Sequence, residues 1–269
     1  MLRLNLFRKG TCIFRYINQL HQPEKAVMKK ILLLLCSLLP MVLHAQMPDA
    51  PERSEGGGPY DRLIIRGVHL IDGTGSPATG PVDVVVEGNV ISSIRTVGYP
   101  GLPINDRRRP QADENTEVID ATGMYMLPGF FDMHAHTGGG AQGTVPEYVY
   151  KLWLAHGITS IREPGSGNGM EWTLRHKKLS EKNKITAPRI SAWIGFGNSF
   201  DRPIITPEDA REWVKMIDDA GADGIKFFGA SPEVYAAAID EANKRGLGTM
   251  THHAQTRVVY NNALRSAQL

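Results

Sequence analysis

Hydrophobic and polar positions change their period twice along this chain. Residues 46–59 (QMPDAPERSEGGGP) carry no period and are rich in Pro, Gly and charge, which predicts a flexible linker. Arg62 to Arg66, Val82 to Glu87 and Val90 to Ile94 are then short runs rich in Val and Ile, punctuated by Gly73, Gly75 and Gly80. Gly88-Asn89 separates the last two runs, and a residue pair that tolerates positive φ between β-rich segments predicts a hairpin. Residues 60–122 therefore read as a small antiparallel β-sandwich segment. The polar, proline-bearing stretch from Pro100 to Thr116 reads as a surface loop within it.

From Met124 onward the period alternates between strand and helix. Strand-like runs cover Met124 to His136, Ile158 to Arg162, Pro188 to Phe196, Gly224 to Phe228 and Leu247 to His253. Helical patterns lie between them at Val145 to His156 and Met170 to Lys182, with two more opening at Thr206-Pro207-Glu208-Asp209 and Ser231-Pro232-Glu233. In the third, Thr206 can cap, Pro207 suits the first turn, and two acids meet the positive end of the dipole. A last helix is expected towards Leu269. This alternation predicts an α/β fold with a parallel sheet, and its repeat length suits a (β/α)₈ TIM barrel. Such a barrel takes about 250 residues. The 146 residues from Met124 to the end hold about five of its strands, so residues 123–269 are expected to form an incomplete barrel in an N-terminal fragment.

Charge and cysteine content set the start of the chain apart. Residues 1–45 hold seven Lys or Arg and one Glu; removing them from totals of 30 and 28 leaves 23 basic against 27 acidic residues. The remainder is mildly acidic, which argues against a nucleic-acid partner. Met28-Lys29-Lys30 is a short basic region, and Ile31 to Leu43 is an almost unbroken apolar run, too short to span a bilayer. Residues 1–45 therefore read as a signal-peptide region that starts at Met28, with cleavage after Ala45. The expected location is the periplasm or outside the cell, with no stable membrane span in the mature protein. Cys12 and Cys36 both fall in this region. The rest of the chain has no thiol, which suits an oxidising compartment and leaves His, carboxylate or Lys-derived groups as metal ligands.

Four residues carry candidate chemistry. His134 and His136 lie two apart in Phe130-Phe131-Asp132-Met133-His134-Ala135-His136. If the strand runs through them, both imidazoles share a face, while Phe131, Met133 and Ala135 point away and pack under helices. Two neutral imidazoles at a strand end suit Zn²⁺ or a similar ion. Lys226 is a lone cation in the apolar run Gly-Ile-Lys-Phe-Phe, and a buried ammonium must pair, lose its proton or be modified. In Thr249-Met250-Thr251-His252-His253, alternation puts Thr249, Thr251 and His253 on one polar face, so His253 rather than His252 is assigned to the barrel interior. Satisfied core histidines and an ion-paired lysine are the competing readings of these residues.

Taken together, Leu127-Pro128-Gly129-Phe130-Phe131-Asp132-Met133-His134-Ala135-His136, Arg162-Glu163-Pro164-Gly165, Gly221-Ala222-Asp223-Gly224-Ile225-Lys226 and His253-Ala254 resemble the amidohydrolase superfamily, in its imidazolonepropionase-like branch. The resemblance covers about residue 60 to the end. It implies a site for two divalent metal ions, zinc foremost. His134 and His136 would hold the more buried ion, Lys226 carboxylated on Nζ would bridge both, and His253 would bind the second. The reaction implied is hydrolysis of an amide or cyclic amide C–N bond by a metal-activated hydroxide. The partner would be a small-molecule amide or dipeptide-like substrate, and a homo-oligomer is compatible with the sequence. The family's histidine after strand six and aspartate after strand eight have no counterpart here, so the fragment is expected to be inactive alone. The alternatives are a mononuclear hydrolase with unmodified lysine, a non-catalytic binding protein of the same fold, and a barrel enzyme that uses Lys226 as a Schiff-base amine.

Overall fold

The computed structural model describes residues 48–139 and 142–252. The region expected to be a signal peptide and the C-terminal segment with His253 lie outside the described residues. All that follows concerns the unit Met47–Leu269.

Its first sheet holds β1 (Arg62–Leu70), β2 (Thr79–Glu87), β3 (Val90–Thr96), β4 (Thr116–Asp120) and β5 (Tyr125–Met126). β1, β2 and β3 form an antiparallel meander, and Glu87 pairs with Val90 across the Gly88-Asn89 turn as the sequence predicts. β4 and β5 then add to the far side of β1 in parallel. Val68, Val82, Val84 and Ala121 form the buried core of this unit. Asp83, between Val82 and Val84 in β2, is also buried: its Oδ1 accepts from Gly67 N at 2.8 Å, and its Oδ2 lies 3.7 Å from Arg109 Nε. Among the described residues Asp83 Oδ2, Arg109 Nε and Arg66 Nε have no hydrogen-bond partner.

The second sheet is wholly parallel: β6 (Phe130–Asp132), β7 (Ile158–Pro164), β8 (Arg189–Gly195), β9 (Gly224–Phe227) and β10 (Gly248–Thr251), in sequence order from one edge to the other. The connections are helices α1 (Pro146–Ala155), α2 (Met170–Glu181), α3 (Pro207–Ala220) and α4 (Pro232–Lys244). Together these elements form a five-strand portion of a (β/α)₈ barrel beside a separate β-sheet. α3 starts as its sequence requires, since Thr206 Oγ1 accepts from Asp209 N at 3.1 Å while Asp209 reaches back to Thr206 N at 3.0 Å. Ala192, Ile194, Ile225 and Phe227 on one face of the sheet pack with Trp213, Val214, Tyr235 and Ile239 of α3 and α4.

The opposite face carries Arg162, Trp193 and Lys226. The Trp193 indole extends over β9 and β10. A Cβ on Gly224 or Gly248 would come within 2.6 or 2.3 Å of the indole, so only glycine leaves room there. The Arg162 guanidinium stacks on the indole at 4.6 Å.

The stretch expected to be a flexible linker is anchored where it is described. Arg175 Nη2 donates to Asp49 Oδ1 at 2.6 Å, Ala50 is buried in the cluster of Tyr150, Ile161 and Trp172, and Arg53 N donates to Lys184 O at 2.7 Å. Its Pro, Gly and charge content hid one acid and one small apolar residue that have specific partners elsewhere in the chain.

Candidate metal centre

The strand that leads into the His pair is shorter than expected. β6 ends at Asp132, whose Oδ1 accepts from His134 N at 2.9 Å; this local side-chain bond to the backbone competes with strand pairing. His134 and His136 thus follow the strand instead of lying within it, and simple alternation does not govern residues 130–136. Ala135 is buried as expected, but Phe131 and Met133 are each 52% exposed instead of packed under helices. β6 is an edge strand, so no described strand covers its outer side. β7 still holds the segment after the strand ends: Ala135 N donates to Arg162 O at 3.0 Å, and Arg162 Nε donates to Met133 O at 2.7 Å. The two imidazoles meet edge to face, with centroids 5.4 Å apart.

Glu163, at the C-terminal end of β7, is the residue whose role the sequence did not reveal. Its carboxylate is fully buried. Oε1 lies 2.9 Å from His136 Nδ1, and Oε2 accepts from Thr137 N at 2.5 Å and Thr137 Oγ1 at 2.7 Å. A carboxylate can only accept, so Nδ1 carries a proton; in the neutral imidazole it is then Nε2 that presents the lone pair. The position of Glu163 beside Arg162 in the motif was the available signal, but spacing alone could not pair it with His136.

The two histidines are shifted in opposite directions. The hydrogen bond from Glu163 raises His136 above the ordinary histidine range, against some desolvation. Burial lowers His134, and the charges of Lys226, His136 and Arg162 add to that effect. Lys226 is 3% exposed in β9, and among the described residues no carboxylate pairs with it. Burial lowers its pKa first, and the nearby Arg162 lowers it further. Its Nζ lies 5.7 Å from the Phe228 ring centroid.

β10 corrects the face assignment made from alternation. Thr249 pairs with Ile225 and Thr251 with Phe227, so both threonines lie on the helix-covered face. Met250 pairs with Lys226, and His252 is next in phase with it; His252 is exposed, with its ring 6.0 Å from Phe228. The register arose from the parallel pairing to β9, which local polarity did not reveal. His253 itself lies outside the described residues. The glycines after the His pair are closely approached: Asn168 Nδ2 donates to Gly138 O at 2.9 Å, and a Cβ on Gly139 would meet Asn168.

Among the described residues no group of three or more His, Cys, Asp or Glu side chains has the arrangement of a metal site. The donors that are present do suit a divalent ion: His136 Nε2 is freed by a buried carboxylate on the far nitrogen, His134 is biased to the neutral form, and Lys226 is a buried amine without an acid.

No family model matches the chain. It is 34% identical to an adenine deaminase of Clostridium botulinum over 117 residues, which is 40% of this chain and 19% of that protein. Over 80 residues it is 38% identical to a dihydroorotase of a Thermoanaerobacter species, covering 28% of this chain and 14% of the relative. An N-acyl-D-aspartate deacylase of Alcaligenes xylosoxydans is 32% identical over 122 residues, 45% of this chain and 20% of the deacylase. The chain thus matches a fifth or less of the length of these relatives. Among solved structures, a Xaa-Pro dipeptidase with bound methionine superposes with a TM-score of 0.55 at 21% identity, over 76% of this chain and 59% of that one. Molinate hydrolase gives 0.57 at 18% identity, over 77% and 56%. These likenesses establish a shared fold.

Proposed function

We propose that this chain, which belongs to the amidohydrolase superfamily, supplies the first part of the active site of a metal-dependent hydrolase of carbon–nitrogen bonds. The observation that carries this reading is the buried Glu163 carboxylate 2.9 Å from His136 Nδ1, with His134 edge-on beside it. Metal-ligating imidazoles typically give their second N–H to such a partner, and a core histidine needs no free Nε2.

Each residue then has a role that follows from its surroundings. Glu163 fixes the His136 tautomer and aims Nε2. Burial keeps His134 in the neutral form that can donate a lone pair. Lys226, favoured as a free amine, can attack CO₂ through Nζ; the new N–C bond gives a carbamate, and the displaced proton goes to solvent. A divalent metal pair bound there would supply Lewis-acid polarisation of the scissile group. The substrates we propose are small molecules with an amide or cyclic amide, in keeping with the deaminase, dihydroorotase and deacylase relatives. His253 is proposed as a further ligand on the strength of the His253-Ala254 motif. Periplasmic or extracellular location rests on the Met28–Ala45 leader pattern and on the absence of cysteine after Cys36.

Metal analysis of the purified chain after dialysis tests the reading. Divalent metal should be retained by the wild type and lost in His136→Ala and in His134→Ala. Equal metal content in all three proteins would overturn it. A Schiff-base role for Lys226 is the second reading, favoured by its burial without an acid. Borohydride trapping of a carbonyl compound on Lys226 in metal-free protein would select it.

A further inference from the structure

The segment between the two imidazoles is supported from the helix-covered side of the sheet by side chains that the proposed chemistry does not use. Tyr150 of α1 and His176 of α2 are both fully buried. The Tyr150 hydroxyl lies 2.9 Å from His176 Nδ1, and His176 Nε2 lies 3.0 Å from Asp49 Oδ1. The His176 ring is stacked on Trp172 at 3.6 Å between centroids. Tyr150, Trp172 and Ala135 belong to one buried cluster, and Ala135 is the residue between His134 and His136.

Donors and acceptors fix the direction of this chain. The Asp49 carboxylate can only accept, so His176 Nε2 carries the proton. A neutral imidazole then has a bare Nδ1, which must accept from the Tyr150 O–H. Burial favours that neutral form by lowering His176, and it also raises the Tyr150 phenol, which therefore remains a donor. The Thr137 hydroxyl is already committed to Glu163. Thr137, the residue after His136, is also within hydrogen-bonding reach of the Tyr150 phenol.

We propose that Asp49, His176 and Tyr150 are positioning residues for the His134–Ala135–His136 segment: the N-terminal stretch, through Asp49, sets the His176 tautomer, and this locks Tyr150 against the buried side of that segment. The inference rests on the reading of His134 and His136 as ligands, because it assigns these three residues to the support of that site. The N-terminal stretch is thereby a structural part of the site instead of a tether.

Hydrogen exchange followed by mass spectrometry on the full chain tests it without any metal. In Tyr150→Phe and in Asp49→Ala, the amides of residues 134–138 should exchange at least about tenfold faster, while those of β8 and β9 keep their wild-type rates. Asp49→Asn keeps a carbonyl acceptor for His176 but loses the charge that Arg175 binds, and it should restore protection. Unchanged exchange at 134–138 in Tyr150→Phe would overturn the proposal. So would an equal loss of protection across β7, β8 and β9, or failure of Asp49→Asn to restore what Asp49→Ala loses. Cobalt(II) titration gives a second readout, with Tyr150→Phe expected to bind about tenfold more weakly. Absence of cobalt binding by the wild type would count against the ligand reading itself, and the exchange result would still decide the positioning role.

Discussion

Among the described residues two carboxylates are buried, and they are treated differently. Glu163 accepts three hydrogen bonds, from His136 and from both donors of Thr137. Asp83 accepts one, from Gly67 N, and leaves Oδ2 facing Arg109 at 3.7 Å without a hydrogen bond. A buried charge that is fully hydrogen-bonded fixes the orientation of its partners, whereas one held by charge alone mostly balances nearby cations. Glu163 therefore has the character of a component that orients a site. Asp83 has that of an electrostatic counterpart to Arg109 in the first unit of the chain.

Substitutions separate the two roles. Glu163→Ala should have the largest effect, because it strands Thr137 N, Thr137 Oγ1 and His136 Nδ1; we expect a loss of about 3 kcal/mol in urea denaturation. A loss similar to that of an ordinary surface substitution would show that these bonds matter little. Lys226→Met should act in the opposite direction. It replaces a buried amine that has no acid partner among the described residues by an apolar side chain, and a gain of about 1–2 kcal/mol is expected by the same measurement. Destabilisation instead would mean that Lys226 has a favourable partner in the folded protein. Asp83→Asn should cost only about 1 kcal/mol, since the amide keeps an acceptor for Gly67 N and Arg109 retains Asp106 at 3.5 Å. A loss as large as that of Glu163→Ala would erase the distinction between the two carboxylates.

The smallest expected effect lies in pH dependence. His136 is raised by Glu163, so its contribution is present below the unfolded value of 6.5 and is lost as pH rises through its raised value. His176 and His134 are lowered by burial, so their contributions are present above 6.5 and are lost as pH falls through their lowered values. The contribution of His136 opposes these near 6.5 and offsets part of the loss on acidification. Glu163→Gln removes the first contribution, so the variant should lose stability on acidification more steeply than the wild type. Urea midpoints between about pH 5 and about pH 8 would check this, with parallel profiles as the contrary result.

Most of the element order was legible in the sequence because hydrophobic period and end signals agree in it. Thr206-Pro207-Glu208-Asp209 announces α3, and the observed cap uses the same Thr206 and Asp209. Gly88-Asn89 marks the hairpin that joins β2 to β3. What escaped depends on contacts distant in sequence. The end of β6 is set by Asp132 turning back on His134 N, and local alternation does not register such a bond. The faces of β10 follow from pairing with β9, which places Met250 beside Lys226 and turns Thr249 and Thr251 towards the helices. Lys226 itself was conspicuous because a cation in an apolar strand is costly. Glu163 was not, since an acid next to an arginine reads as an ordinary surface pair until its 2.9 Å contact with His136 is seen.

The indole of Trp193 ties together two glycines that are far apart in sequence. Gly224 and Gly248 lie beneath the same ring, so neither can change freely while the ring remains. Alanine at 248 should be tolerated only beside a smaller residue at 193, and Arg162 would then lose the surface on which it stacks; at 224 a Cβ would also meet the Gly248 carbonyl oxygen at 2.7 Å. Across diverged relatives, positions 162, 193, 224 and 248 should therefore drift as a group, and a substitution at one of them should restrict what the other three accept.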